Sequence, residues 1–305
     1  LLLMLAATVV FMFLQNLVGI AAALLWGLPS QTGVLLGTAS LIGGHGTAIA
    51  WGPTVAETYN VTGAAELGVA MATMGLIAAS LLGGPIAKYL VEKHDLQSDP
   101  NEKAAFVIVE EDDRDNRFDY VDAIRSLLVA NIAIILGYGA HVALQEAGVM
   151  LPLFVPCLLA GIVLTNTVPF LFPKFKWPSR TPALALVSDF SLSVFLAMSL
   201  MSMQLWTLSG SAGVLITTTV LQAVMTTLFI LVVFYRLMGS NYFAAVLSAG
   251  FAGFTLGATP TAIANMSAVT KNFGPSPLAF IVLPLVSAFF VDLANAFIIQ
   301  LFLGA

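Results

Sequence analysis

Gly43-Gly44-His45-Gly46-Thr47-Ala48-Ile49-Ala50 and Gly257-Ala258-Thr259-Pro260-Thr261-Ala262-Ile263-Ala264 are near copies of one phrase. Each carries Thr-Ala-Ile-Ala after an interruption of an otherwise apolar run. Gly and Pro at this density release backbone N–H and C=O groups from the helical ladder. Within a bilayer such groups are tolerated only where protein or a water-filled cavity surrounds them. A helix break that recurs in corresponding places is the sequence mark of a transporter's binding site. The two breaks therefore define an all-α polytopic membrane protein of the inverted-repeat secondary-transporter type.

Composition agrees. Of 305 residues, 59% are hydrophobic and 9% charged, against about 25% charged in a soluble domain; the mean hydropathy is +0.97. One cysteine, Cys157, rules out a disulfide framework and reads as a small buried hydrophobe. The net charge of −5 gathers in one loop, and no basic block points to nucleic acid. Leu1 opens straight into a hydrophobic run, with neither Met nor a charged leader, so the chain is expected to begin inside a longer protein.

Residues 1–26 are long enough to span, since a crossing takes about 20 residues. Gln15 and Asn16 interrupt this run and are expected to face other helices. The first break region, about 33–56, is too short and too broken for two spans and fits a re-entrant hairpin: a short apolar half, the break, and a second half ending near Trp51 and Pro53. Trp51 and Tyr59 suit a membrane interface. Residues 65–90 span next, and 91–122 form an acidic linker with Glu110, Glu111, Asp112, Asp113 and Asp115 crowded together. Spans follow near 123–147, 151–172, 181–204 and 211–235, then a second hairpin at about 241–271 and a last span over 276–304.

This gives seven crossings, two hairpins and three parts: 1–90, the linker 91–122, and 123–305. All eleven basic residues (Lys88, Lys93, Lys103, Arg114, Arg117, Arg125, Lys174, Lys176, Arg180, Arg236 and Lys271) then fall on one side, which the positive-inside rule makes cytoplasmic. The opposite loops, near 27–31, 148–150 and 205–211, carry none. Five crossings separate the breaks, an odd number, so the hairpins enter from opposite faces as inverted repeats. By that symmetry the first half lacks three spans at its N-terminus, about 75–100 residues.

Helix N-termini exposed by a break bind anions, while freed carbonyls and hydroxyls suit a hard cation such as sodium. Gly43, Gly44, Gly46 and Gly257 permit close approach; Thr47, Thr259 and Thr261 offer hydroxyls. His45 suits substrate binding or proton carriage, and equally a bond to released backbone; Thr259 occupies its place in the second copy, which excludes a symmetric role. Asp292 and Asn295 share a helix face within the last span, an intramembrane carboxylate–amide pair that suits sodium, and Asn265 follows the second break. Asp189 reads as interfacial, Glu57 and Glu66 as solvated, Asn131 and Asn166 as interhelical bonds.

The two break segments, the following Trp51, Asn265-Met266, Gly274-Pro275-Ser276 and Phe289-Phe290-Val291-Asp292 resemble the signature segments of the bacterial sodium/glutamate symporters. The resemblance covers nearly the whole chain. It implies sodium-coupled uptake of L-glutamate at the inner membrane by two inverted five-helix halves, and a homodimer in which a transport unit moves against a scaffold. It implies a translocation site at Gly43, Gly44, His45, Gly46, Thr47, Gly257, Ala258, Thr259, Pro260 and Thr261. The cation ligands expected are Thr261, Asn265, Asp292 and Asn295.

Other readings stand beside it. A sodium symporter for another small carboxylate would carry much the same breaks. A channel also uses re-entrant loops, but normally repeats its filter around an axis. An enzyme using His45 and Asp292 would need a nucleophile and base within reach, and no Gly-x-Ser-x-Gly elbow or His-x-x-x-His pair occurs.

Overall fold

The computed structural model describes residues 1–98, 120–146, 153–172, 175, 177–179, 181–202 and 210–304. Among these residues are eleven helices and no strand. They are α1 (Leu2–Leu25), α2 (Gly44–Tyr59), α3 (Ala64–Lys93), α4 (Tyr120–Glu146), α5 (Phe154–Leu171), α6 (Pro182–Ser202), α7 (Ala212–Leu237), α8 (Tyr242–Leu256), α9 (Thr259–Phe273), α10 (Pro277–Phe289) and α11 (Val291–Leu303). The crowded acids and Lys103, Arg114, Arg117, Lys174, Lys176 and Arg180 lie outside the described residues.

Five helices (α1, α3, α4, α5 and α7) are each long and apolar enough to cross a bilayer; α10 with α11, bent by 41°, makes a sixth if taken as one broken span. The chain is a polytopic membrane protein. Two expectations change in detail. The last span is two helices, parted at Phe289-Phe290-Val291, where neither Gly nor Pro marks a break. The first arm of the first hairpin is not helical: it is a 3-10 turn, Ser30–Val34, followed by successive turns to Ile42.

The chain divides into two compact units, 1–110 with 204–304 and 111–203. In the first, α8 is the centre. All of its residues but Phe243 are buried, as expected of a helix apolar on every side. Ala244, Ala245, Ala249, Ala252, Gly250 and Gly253 let neighbouring backbones approach closely. Phe251 fixes the middle of α8, with ring centroids 4.1 Å from Phe234, 5.2 Å from Phe11 and 5.3 Å from Phe254. Each such pair adds roughly 0.5–1.5 kcal/mol beyond its buried area.

Contacts within this unit sort the helix ends into two sets. At one end the Trp26 ring, just past α1, lies against Gly213 at the start of α7, and Tyr59 at the end of α2 donates to Leu303 O at the end of α11 (2.6 Å). At the other, His94 after α3 stacks on Tyr235 near the end of α7 (5.5 Å). There too Ser98 donates to Pro275 O (2.6 Å), and Tyr242 at the start of α8 donates to Gly274 O after α9 (2.5 Å).

In the second unit α4 and α5 cross where Gly137 meets Cys157, whose Sγ lies 3.8 Å from Ile134 O. Cys157 is half-buried there. Among the described residues Asn131 and Asn166 do not bridge helices. Each donates to the carbonyl four residues back, Leu127 O and Ile162 O, at 2.8 Å. A short amide side chain satisfies itself this way when its face of the helix has no polar neighbour.

Candidate functional site

The two breaks meet. A side chain built on Gly44 would reach within 3.9 Å of the Gly257 carbonyl oxygen. Gly44 has φ +66°, a left-handed conformation that favours glycine, and it opens α2. On the other side α8 ends at Leu256, Gly257 turns the chain, Ala258 is extended, and α9 starts at Thr259 with Pro260 in its first turn.

Both helices that start at the breaks lack a side-chain cap, whereas α8 is capped by Asn241, which accepts from Ala244 N at 2.9 Å. The first N–H groups of α2 and α9 are the orphan donors of a helix start, with the positive end of the helix dipole behind them. Two such termini at one place suit an anion. The N-cap position of α9 is Ala258, which has no side-chain acceptor, and Thr259 after it donates its hydroxyl to Ser287 Oγ (3.1 Å). Thr73 Oγ1, whose proton goes to Val69 O, accepts from His45 Nε2 at 3.0 Å.

The non-helical arm between residues 32 and 42 is wholly buried. Its freed backbone is satisfied by amides from three helices. Asn16 Oδ1 accepts from Thr38 N (2.9 Å) and Thr38 Oγ1 (3.0 Å), Asn295 Nδ2 donates to Thr38 O (3.1 Å), and Gln222 Nε2 donates to Leu36 O (3.1 Å). Gln15 Nε2 in turn donates to Thr255 O, at the end of α8, at 2.8 Å. Gln15 and Asn16 thus face other elements, as the sequence led one to expect. The amide oxygens Gln15 Oε1, Gln222 Oε1 and Asn295 Oδ1 are buried without a hydrogen-bond partner among the described residues. Uncharged oxygens of this kind suit a hard cation.

The second hairpin is bound to α3 in a different way. Asn265 Nδ2 donates to Ala79 O (3.0 Å) and Ala249 O (3.4 Å). Gly75 leaves room for the Leu256 carbonyl and Leu41, and Gly83 leaves room for the Asn265 side chain. Gly75, Ala79 and Gly83 form a small-residue stripe at a spacing of four. That signal was legible in the sequence, and with Gln222, Thr38 and Ser287 it was not singled out there.

The residues expected to hold a cation do not share one environment. Asn265 and Asn295 are buried in separate places, Thr261 is half-buried, and Asp292 is exposed in the first turn of α11. Trp51 is no interface residue: it is fully buried, because α2 turns that face towards the protein. Asp189 and Glu57 are exposed.

Comparison with known proteins follows the same direction. A family model described as sodium/glutamate symporter matches residues 1–275. The sodium/glutamate symporter of Haemophilus influenzae is 39% identical over 308 residues, 96% of this chain and 74% of the relative. That of Escherichia coli is 42% identical over 296 residues, 95% of this chain and 72% of the relative. No solved structure matches. With a family model over most of its length and relatives at about this identity, the chain belongs to the sodium/glutamate symporter family.

Proposed function

We propose that the chain is the core of a carrier that imports L-glutamate across the bacterial inner membrane, driven by sodium, through alternating access. It is a transporter and not an enzyme. The single observation that supports the reading best is the meeting of two uncapped helix N-termini, at Gly44 and Thr259, where the breaks come together. A carboxylate at that point is held by backbone N–H groups and two helix dipoles.

The two hairpins are inverted repeats. The first starts and ends at the face marked by Trp26 and Tyr59–Leu303, the second at the face marked by His94–Tyr235 and Tyr242–Gly274. The halves are 1–90 and 123–305, joined by the cytoplasmic acidic linker 91–122. Gly43, Gly44, His45, Gly46, Thr47, Gly257, Ala258, Thr259, Pro260 and Thr261 form the translocation site. Sodium, carried as substrate, takes uncharged oxygens near Asn295, whose Oδ1 is buried and unpartnered among the described residues, with Thr261, Asn265 and Asp292 as further ligands on the path. The carrier works as a homodimer in the bilayer.

Cysteine labelling tests the inverted arrangement. In a Cys157→Ala background, Gly63→Cys is expected to react with an impermeant maleimide from the periplasmic side and Asn272→Cys from the cytoplasmic side. Labelling of both from the same side would overturn it.

A further inference from the structure

We infer that the cytoplasmic end of the first unit carries a binding site for the headgroup of an anionic phospholipid, separate from the translocation site. A cavity of about 320 Å³ opens between the end of α3 and the end of α7, lined by Tyr89, Leu90, Lys93, His94, Leu231, Tyr235, Arg236 and Ser240. Two of these residues are cationic, a histidine stands between them, three carry hydroxyls, and none is a carboxylate. In a chain of net charge −5, that is a local excess of the opposite sign.

Among the described residues the cations are not spent on neighbouring acids. Among the described residues neither Lys93 nor Arg236 pairs with a carboxylate; the nearby Glu92 is taken by Lys88 at 3.7 Å. Asp95 follows His94 but does not line the cavity. Lys93 is aimed by Tyr89, donating to its hydroxyl at 2.8 Å with the ammonium 5.0 Å from the ring centroid. His94 is held flat by its stacking on Tyr235.

Helix C-termini ordinarily repel anions, but here five of the last carbonyls are occupied. Phe234 O, Arg236 O and Tyr235 O accept from Met238 N, Gly239 N and Ser240 N, while Leu90 O and Val91 O accept from His94 N and Leu96 N. Tyr235 Oη closes the turn by donating to Ser240 O (3.0 Å). The side chains are therefore the charge that a ligand meets. A π turn at Ile230–Phe234 immediately precedes Tyr235 and Arg236, and such turns recur at functional sites.

The apolar part of the lining favours a lipid over a free anion. Leu90 and Leu231 give the cavity a hydrocarbon wall. Leu228, one turn before Leu231 on the same side of α7, is exposed, as acyl chains running along that helix require. Basic pockets between membrane helices on the cytoplasmic side bind anionic headgroups, each Lys or Arg near the surface adding about fivefold.

The test is native mass spectrometry of the purified full-length protein, with phosphatidylglycerol against phosphatidylcholine of the same acyl chains. Wild type is expected to retain phosphatidylglycerol preferentially. Lys93→Gln/Arg236→Gln should reduce that preference about tenfold or more, and Lys93→Arg/Arg236→Lys should keep it. If the double variant is not monodisperse, Arg236→Gln alone, altering an exposed side chain, should reduce the preference about threefold to fivefold. An unchanged preference in the Gln variants would overturn the site. Displacement of the lipid by millimolar inorganic phosphate would overturn the lipid as its ligand in favour of a soluble phosphate.

Discussion

Gln222 on α7 donates its side-chain amide to the main-chain oxygen of Gln15 on α1, 2.9 Å away. The same amide reaches Leu36 O in the first hairpin, while the Gln15 side chain reaches Thr255 O in the second. The helix leading into each hairpin therefore ties down a carbonyl of the other. The exchange is reciprocal, and it couples the two breaks through groups that are fully buried. A hairpin that shifted alone would strand a carbonyl at membrane depth, where no water replaces the lost donor.

Gln222→Leu removes the donor to the non-helical Leu36 O, and a second donor to Gln15 O, which keeps its place in the α1 ladder. One unsatisfied carbonyl costs about 1–3 kcal/mol, so the apparent melting temperature of the purified protein should fall by about 2–5 °C. Transport should fall further than expression does. A variant with wild-type melting and uptake would show that these bonds do not hold the hairpins.

Neighbouring glycines on α3 make a paired test of packing. A Cβ at Gly83 would run into the Asn265 side chain, whereas one at Gly84 meets nothing within 4 Å. Gly83→Ala should cut the uptake rate at least about tenfold by dislodging the bond from Asn265 to Ala79 O. Gly84→Ala should leave it near wild type. Equal effects of the two would separate Asn265 from the mechanism.

Gly44 holds φ +66°, a conformation that costs an L-residue about 1–2 kcal/mol. Gly44→Ala should impair uptake while membrane insertion is kept, and Gly44→Val should abolish it. Gly257→Val should do the same, since its Cβ would crowd Gly253 O at 2.9 Å and Ala79 Cβ at 3.0 Å. Uptake assayed at matched expression decides this, and near-normal rates would remove these glycines from the site.

Much of this was legible in the sequence. Gly257 and Pro260 announced the break between α8 and α9 because both residues break a helix by local chemistry. The first hairpin was harder: its apolar Val34-Leu35-Leu36 run looks like half a helix. What satisfies its non-helical backbone is Asn16, Gln222 and Asn295, at sequence separations of 22, 186 and 257 residues. No periodicity within a window reports such partners. Trp51 was misplaced for a related reason, since an amphipathic ring suits an interface or a core equally until its neighbours are known. Asp292 and Asn295 do lie three residues apart on one helix, yet the break at Phe290 puts the first at a helix start and the second against Thr38.

That difference gives a separable pair of variants. Asn295→Ala loses the bond to Thr38 O and the unpartnered oxygen, and should lower both sodium and glutamate affinity. Asp292→Asn should raise the sodium half-saturation concentration about tenfold, equivalent to about 1.4 kcal/mol, with the glutamate value little changed. Sodium titration of uptake reads both. An unchanged sodium curve for Asp292→Asn would move the cation elsewhere.

The most direct measurement is uptake of labelled L-glutamate into proteoliposomes holding the full-length protein, with and without an inward sodium gradient. Accumulation above the external concentration only with the gradient is expected. Glutamate that equilibrates equally with and without sodium would contradict a sodium-coupled carrier.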